Sequence, residues 1–288
     1  MMKTQIQSDL FRVDLPQRRP FHWRTYLVLV ALYFLGNIAG IPLLRKTNAP
    51  IEPVWLWGVF TLISAGLIAI SMFMANRSGL GAPLLEGRIT KEDRAKWLKS
   101  GLALTVLMCA VGFPLSLVLN LNINPADYPF GWELLPASFK AGVVEEISYR
   151  FLLVSLLIWF ASLFKRDGKG RPLSGVYWAA ILITGLIFGW AHVDPVLSNP
   201  AATYWHLSLL MVQGSSLGIF FGWLMWRLGL EWAIFAHFVF DAFVSMIVIP
   251  VYLLNNPLVW VILVSGLTLA AIISWRSLWK KTNERTLG

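Results

Sequence analysis

Charged residues are scarce in this chain. Only 14% of its 288 residues are charged and 57% are hydrophobic, whereas an ordinary soluble domain carries about 25% charged residues. A chain with so little charge, and with 15 Trp and 18 Phe, does not have the composition of a soluble globular domain. The composition therefore predicts an integral membrane protein.

Cysteine is almost absent. A single Cys109 excludes an intramolecular disulfide and any metal site built from several cysteines. We expect Cys109 to be a small buried hydrophobic residue.

The motifs of three other intramembrane protease chemistries are also missing. The sequence has no H-E-x-x-H zinc motif and no G-x-S-x-G serine elbow. A two-aspartate site would need a partner for Asp241 in another apolar run, and no other run supplies one. Glutamate and histidine remain as the candidate catalytic residues.

Eight apolar runs lie along the chain, each near or above the ~20 residues that a spanning helix needs. They predict an all-α integral membrane protein, a bundle of about eight transmembrane helices. The runs cover residues 25–44, 54–75, 101–121, 136–164, 174–192, 203–226, 231–250 and 257–275.

The basic residues are distributed very unevenly between the two sides of this predicted bundle. Twenty of the 24 Lys and Arg fall in the N-terminal arm, in alternate loops and in the C-terminal tail. Because basic loops stay in the cytoplasm, both termini are predicted to be cytoplasmic. The same asymmetry accounts for the net charge of +9, so we expect no nucleic acid partner.

The chain divides into four predicted parts. Residues 1–24 form a cytoplasmic arm, and residues 25–135 form three transmembrane helices with an interfacial cytoplasmic loop. Residues 136–250 form a core of four transmembrane helices. Residues 251–288 form the last transmembrane helix and a basic tail.

Ionisable residues interrupt the apolar runs at three places, 145–150, His192 and 237–241. Charge inside a bilayer is costly and usually marks function. Glu146 and Arg150 are four residues apart with the acid first, which is the favourable order for an ion pair on a helix. Glu145 is then left as a free carboxylate that could act as a general base. The alternative is a buried network with a purely structural role.

The two histidines predict an unusual loop. At ~1.5 Å per residue, His192 lies about 27 Å along its helix from Ser174, whereas His237 lies only about 9 Å from Glu231. Straight helices of equal length would not bring them together. We therefore expect the turn at 229–232 to be recessed into the protein, reachable only through the cavity.

Two further expectations concern packing. The segment from Thr90 to Lys99 predicts a short helix at the cytoplasmic interface, anchored by Trp97. Gly214, Gly218 and Gly222 recur every fourth residue, a pattern that predicts close packing against another helix.

Three motifs, on the fourth, fifth and seventh runs, resemble the CPBP family of intramembrane proteases, which includes CAAX prenyl endopeptidases and Abi-type bacteriocin-processing or self-immunity proteins. The motifs are Glu145-Glu146-x-x-Tyr149-Arg150, Phe188-x-x-x-His192 and His237-x-x-x-Asp241. The resemblance covers residues 136–250 and implies that these residues form the catalytic core.

The resemblance also implies roles for these residues. Glu145 and His192 would activate water, and His237 and Asp241 would lie at the oxyanion side of the scissile carbonyl. The supporting residues would be Glu146, Tyr149, Arg150 and Phe188. The expected function is intramembrane hydrolysis of a peptide bond in a lipidated or transmembrane peptide, in the plasma membrane of a prokaryote.

One position departs from the pattern, because family members that cleave prenylated proteins usually have Asn where this chain has Asp241. An ionised aspartate cannot donate a hydrogen bond to an oxyanion. Asp241 must then be protonated, orient His237 or bind a metal. We favour a route without a cofactor, and the alternative is a zinc site made by Glu145, His192 and His237.

Two other functions stay open at this point. A family member could have become a non-enzymatic bacteriocin-immunity or scaffold protein. A proton-coupled transporter could use the buried Glu and His as a relay, but the sequence lacks the matching pair of Gly or Pro breaks that such transporters have.

Overall fold

The computed structural model describes residues 21–42, 54–120, 132–164, 166–167, 170–197, 203–248 and 257–284. These residues are mostly helical, and their only β-type pairing is an isolated bridge between Arg166 and Pro172. The prediction of an all-α protein is confirmed. Residues 1–20 of the predicted arm and 285–288 of the predicted tail lie outside the described residues, and the cytoplasmic placement of both ends stays a prediction.

Each of the eight predicted runs contains a helix. We number them α1 to α8, where α4 is a continuous rod of three segments whose middle segment is a π-helix, and α7 ends in a short π-helix. The bounds are α1 Trp23–Ala39, α2 Val54–Ser78, α3 Lys91–Asn120, α4 Leu135–Lys140 with Ala141–Val154 and Ser155–Ser162, α5 Ser174–Leu197, α6 Tyr204–Leu228, α7 Leu230–Phe243 with Val244–Val248, and α8 Pro257–Glu284.

Five of these helices are long and apolar enough to cross a membrane. They are Gly58–Ser78, Lys91–Phe113, Ser174–Val193, Tyr204–Leu228 and Leu230–Ile247. This supports a helical membrane protein, whereas the count of eight spans stays a prediction.

The predicted interfacial helix at 91–99 is wrong as a separate element. Asp93 N–H donates to Thr90 Oγ1 over 3.1 Å, so the predicted N-cap is present, but the helix continues through Gly101 to Asn120. Trp97 is only 7% exposed and is therefore not an interface anchor. Its indole Nε1–H donates to Leu228 O over 2.8 Å, and the indole ring packs against Trp232.

The glycine pattern on α6 packs as predicted. A Cβ added at Gly214 would lie 2.9 Å from Gly189 Cα, and one added at Gly218 would lie 2.9 Å from Gly185 Cα. The α5 and α6 backbones therefore touch along a line of glycines, because any side chain there would separate them.

The π segment of α4 lies at the centre of the bundle and packs against α1, α2, α5, α6 and α7. Gly142 brings it close to α7, since a Cβ at this position would lie 2.9 Å from Ile234 O and 3.0 Å from Phe238. Gly142 precedes Glu145 by three residues and Ile234 precedes His237 by three. The contact thus places the segments that carry the first and third motifs side by side.

The turn between α6 and α7 is buried, as the sequence predicts, whereas its access only through the cavity stays a prediction. Gly229 has φ +103°, which strains any other residue, and a Cβ there would lie 2.1 Å from Pro83 Cδ. Leu230 is 0% exposed, and its N–H donates to Gly81 O over 3.0 Å. Residues 79–90, here called the 79–90 loop, cover the turn.

Candidate active site

The adjacent glutamates of α4 have different surroundings. Glu146 is fully buried, and its Oε1 lies 3.2 Å from Arg150 Nη1. The side chain of Glu145 is 32% exposed. The predicted ion pair is present, and Glu145 is left outside it.

Aromatic rings surround the charge on Arg150. Its guanidinium lies 4.0 Å from the centroid of Phe188 and 5.3 Å from that of Phe221. Ring faces attract a cation, and more strongly where water is excluded. Arg150 is only 1% exposed, so Glu146 and the two rings together stabilise a charge that would be costly alone.

The imidazole of His237 is held in a fixed orientation by the same glutamate. Its Nδ1–H donates to Glu146 Oε1 over 2.7 Å. Its ring stacks on Phe221 with centroids 4.6 Å apart and lies nearly perpendicular to Phe188 with centroids 5.8 Å apart. These contacts determine which nitrogen faces the rest of the site. Nε2 therefore points away from Glu146 and toward the other carboxylates.

Nε2 of His237 lies between two carboxylates. It is 3.9 Å from Glu145 Oε2 and 3.5 Å from Asp241 Oδ2. Asp241 is one helical turn after His237 on α7, and its side chain is 32% exposed. Asp241 can therefore orient His237 and balance a proton on its ring.

His192 approaches Glu145 from α5. Its Nδ1–H donates to Phe188 O over 2.8 Å, which leaves a lone pair on Nε2 when the ring is neutral. That Nε2 lies 3.9 Å from Glu145 Oε2, and the side chain is 42% exposed. His192 thus combines a fixed tautomer with access from outside the protein core.

Tyr149 contributes to the walls of the site. Its ring is nearly perpendicular to that of Phe188, with the centroids 5.2 Å apart, and Phe188 in turn packs on His192 at 4.4 Å between centroids. Tyr149 and Phe188 therefore support the ionisable groups by packing.

The four predicted catalytic residues are brought together: both imidazole Nε2 atoms face Glu145 Oε2, and Asp241 lies beside His237 Nε2. Glu145 Oε2 has no hydrogen-bond partner among the described residues, although both imidazole Nε2 atoms lie 3.9 Å from it. A separation of 3.9 Å is too long for a direct hydrogen bond but can be bridged by one water molecule. The arrangement suits a carboxylate that takes a proton from water between two imidazoles.

The fit to zinc is poor. Tetrahedral zinc with bonds of ~2.0–2.1 Å holds its ligand atoms roughly 3.4 Å apart, less than the 3.9 Å from Glu145 Oε2 to each Nε2. No group of three or more His, Cys, Asp or Glu in the described part of the chain is arranged to hold a metal. The zinc alternative is not supported by this geometry, and we derive no step through a metal.

Two residues of the site were not singled out from the sequence. Phe221 contacts both Arg150 and His237, but it is one of 18 phenylalanines and has no distinguishing pattern. Gly142 had a usable signal, because a lone glycine inside a helix often marks a close approach of two backbones.

Comparison with known protein families identifies a match over the core of the chain. Residues 128–243 match the family model described as type II CAAX prenyl endopeptidase Rce1-like. The matched range contains all three motifs, confirms the resemblance to the CPBP family and supports a membrane protease. No curated protein and no solved structure matches the chain.

Proposed function

We propose that this chain, whose residues 128–243 match the type II CAAX prenyl endopeptidase family, is an intramembrane endopeptidase of the CAAX-protease or bacteriocin-processing type. One observation carries the proposal: Glu145 Oε2, which has no hydrogen-bond partner among the described residues, faces the Nε2 atoms of His192 and His237 at 3.9 Å each. Two imidazoles on different helices thus face one carboxylate oxygen, which is the arrangement that a general base working beside two histidines needs.

Hydrolysis begins at Glu145. Its carboxylate takes a proton from a water molecule that His192 Nε2 also holds, and the resulting hydroxide oxygen bonds to the scissile carbonyl carbon. The tetrahedral intermediate then loses its C–N bond, and the proton on Glu145 passes to the departing amine. Water is consumed, and a carboxylic acid and an amine are formed.

His237 stabilises the oxyanion. Protonated on both nitrogens, it donates Nδ1–H to Glu146 and directs Nε2–H toward the carbonyl oxygen. Asp241, 3.5 Å from Nε2, favours this protonated form by its charge. In this role Asp241 orients His237 and does not itself donate to the oxyanion. The mechanism therefore works with an ionised aspartate at this position.

The substrate is a lipidated or transmembrane peptide. The catalytic groups lie on α4, α5 and α7 inside a helical membrane protein, so the scissile bond must reach them from the bilayer or its surface. We assign the protein to the plasma membrane of a prokaryote, with the bilayer and the peptide as its partners, no cofactor and no nucleic acid.

The test is cleavage of a panel of prenylated and transmembrane peptides by detergent-purified protein. Wild type is compared with Glu145→Gln, His192→Ala and a matched control, Glu92→Gln, which changes an exposed carboxylate on α3. We expect wild type and the control to cleave and both site variants to lose cleavage, with no effect of a chelator. If folded wild type cuts no peptide, the binding-protein alternative is favoured. Loss on chelation that zinc restores would replace the mechanism by a metal-dependent one.

A further inference from the structure

The 79–90 loop joins α2 to α3 and makes long-range contacts with the start of α7. Glu231, in the first turn of α7, accepts two backbone hydrogen bonds at the same Oε1, from Leu84 N–H at 2.8 Å and Leu85 N–H at 3.0 Å. Leu230 N–H donates to Gly81 O nearby. These contacts join parts of the chain about 147 residues apart.

Contacts within the loop also hold its shape. Glu86 Oε1 accepts Ala82 N–H over 2.9 Å, and its other oxygen forms an ion pair with Arg88. Burial lowers the pKa of the Arg88 guanidinium, while the charges of Glu86 and Glu231 oppose that shift. The loop therefore presents the amides of Leu84 and Leu85 in one arrangement.

A second set of contacts holds the same turn from the side of α3. Trp97 donates to Leu228 O, and Trp232 packs so closely on α3 that a Cβ at Gly101 would lie 2.0 Å from its ring. The two indole rings are 5.3 Å apart. The start of α7 is thus held by hydrogen bonds on one side and by packing on the other.

The start of α7 is rigidly connected to the candidate active site. The helix Leu230–Phe243 has no break, so His237 and Asp241 lie ~9 Å and ~15 Å beyond Glu231 along one axis. His237 is also held by Glu146 at its ring. A shift of the turn along the helix axis would pull the imidazole away from Glu145 and Glu146.

We propose that Glu231 is a positioning residue for the candidate active site. By holding the 79–90 loop against the turn, it fixes the position of α7 along its axis, and with it the positions of His237 and Asp241. This rests on the proposed function. A carboxylate in the first turn of a helix is commonly explained by the helix dipole. Here two hydrogen bonds to a distant loop give it a further role that the dipole does not require.

The first test measures the position of His237 without using activity. Diethyl pyrocarbonate modifies accessible imidazoles, and mass spectrometry reads each histidine separately. His237 is 3% exposed, whereas the His192 side chain is 42% exposed and serves as the internal reference. In Glu231→Ala we expect His237 to react several-fold faster relative to His192, because α7 is no longer held. Glu231→Gln keeps the Oε1 acceptor and should react as wild type does.

The second test measures turnover of whichever panel peptide wild type cleaves. Because a misplacement of about 1 Å can cost roughly 100-fold in rate, we expect kcat of Glu231→Ala to fall by at least about tenfold with KM little changed. Glu231→Gln should restore kcat, and Glu92→Ala on the exposed start of α3 is the matched control. Glu231→Asp keeps the charge but withdraws the acceptor by one methylene, so it should show the same effects more weakly. If Glu231→Ala does not fold, the aspartate variant takes its place in both tests.

Two results would overturn the inference. One is an unchanged His237 rate in the alanine and aspartate variants. The other is a faster His237 reaction with wild-type kcat, since the loop would then have no bearing on the chemistry. If wild type cleaves no peptide, the proposed function fails, but the modification rates still decide whether Glu231 positions His237.

Discussion

The two glutamates of α4 are neighbours in sequence and opposites in environment. Glu146 is fully buried, accepts the Nδ1–H of His237 and pairs with Arg150. Glu145 is partly exposed, and its Oε2 has no hydrogen-bond partner among the described residues. Adjacent residues point in different directions on a helix, so one carboxylate lies inside the buried ion pair and the other lies outside it. The proposed function therefore assigns the structural role to Glu146 and the role of base to Glu145.

The largest expected effect comes from removing the carboxylate of Glu145, which lies outside the ion pair. A general base contributes about 10²–10⁴-fold to a rate, so Glu145→Gln should lower kcat by about 10³-fold. Its melting temperature should match that of wild type, since no hydrogen bond to Oε2 is lost. Peptide cleavage and thermal unfolding in the same detergent measure both quantities. A large drop in melting temperature would show that Glu145 is structural.

Removing the buried carboxylate of Glu146 should lower the stability of the protein, whereas removing Glu145 should lower only its rate. Glu146→Ala leaves Arg150 without its carboxylate, and breaking a buried ion pair from one side costs about 3–5 kcal/mol. We expect a strongly lowered melting temperature or failure to accumulate. The double variant Glu146→Ala with Arg150→Met is the control, because it removes both charges and should recover part of the loss. No recovery would mean that the hydrogen bond to His237 is the dominant contribution.

A methyl group at Gly142 should disturb both glutamates together. Its Cβ would lie 2.9 Å from Ile234 O and 3.0 Å from Phe238, so Gly142→Ala should separate α4 from α7 at a cost of roughly 1–3 kcal/mol. Cleavage and the melting temperature should then fall together. Gly66→Ala is the matched control, because a Cβ there meets nothing within 4 Å. Equal behaviour of the two variants would contradict the close contact.

The smallest effect is expected at Asp241. If its charge only favours the protonated His237, Asp241→Asn keeps the polar group at that place and should lower kcat by less than about tenfold, or about 1.4 kcal/mol in activation free energy. Steady-state kinetics on the cleaved peptide measure it. A loss as large as that of Glu145→Gln would show that the carboxylate takes part directly.

Much of the local chemistry could be predicted from the sequence. The spacing of Glu146 and Arg150 predicted their ion pair, the glycines of α6 predicted its close packing on α5, and the unequal depths of His192 and His237 predicted a buried turn. Each of these rests on helical periodicity or helix length, which local sequence determines.

The long-range contacts could not be predicted. Trp97 looked like an interface anchor, because nothing near it in sequence reveals its hydrogen bond to Leu228, 131 residues away. The contact of Glu231 with the 79–90 loop and the stacking of Phe221 on His237 depend on tertiary packing in the same way. The π-helical winding of Ala141–Val154 also has no sequence signal that we could identify, although such winding is frequent at functional sites.

The most direct test of the account is the cleavage rate of Glu145→Gln divided by that of Glu146→Gln, measured on one peptide below the melting temperature of both proteins. Because a general base contributes about 10²–10⁴-fold to a rate, we expect Glu145→Gln to be slower by at least about 100-fold, although it is the more stable protein. Equal rates, or a slower Glu146→Gln, would contradict the division of the two glutamates into base and anchor.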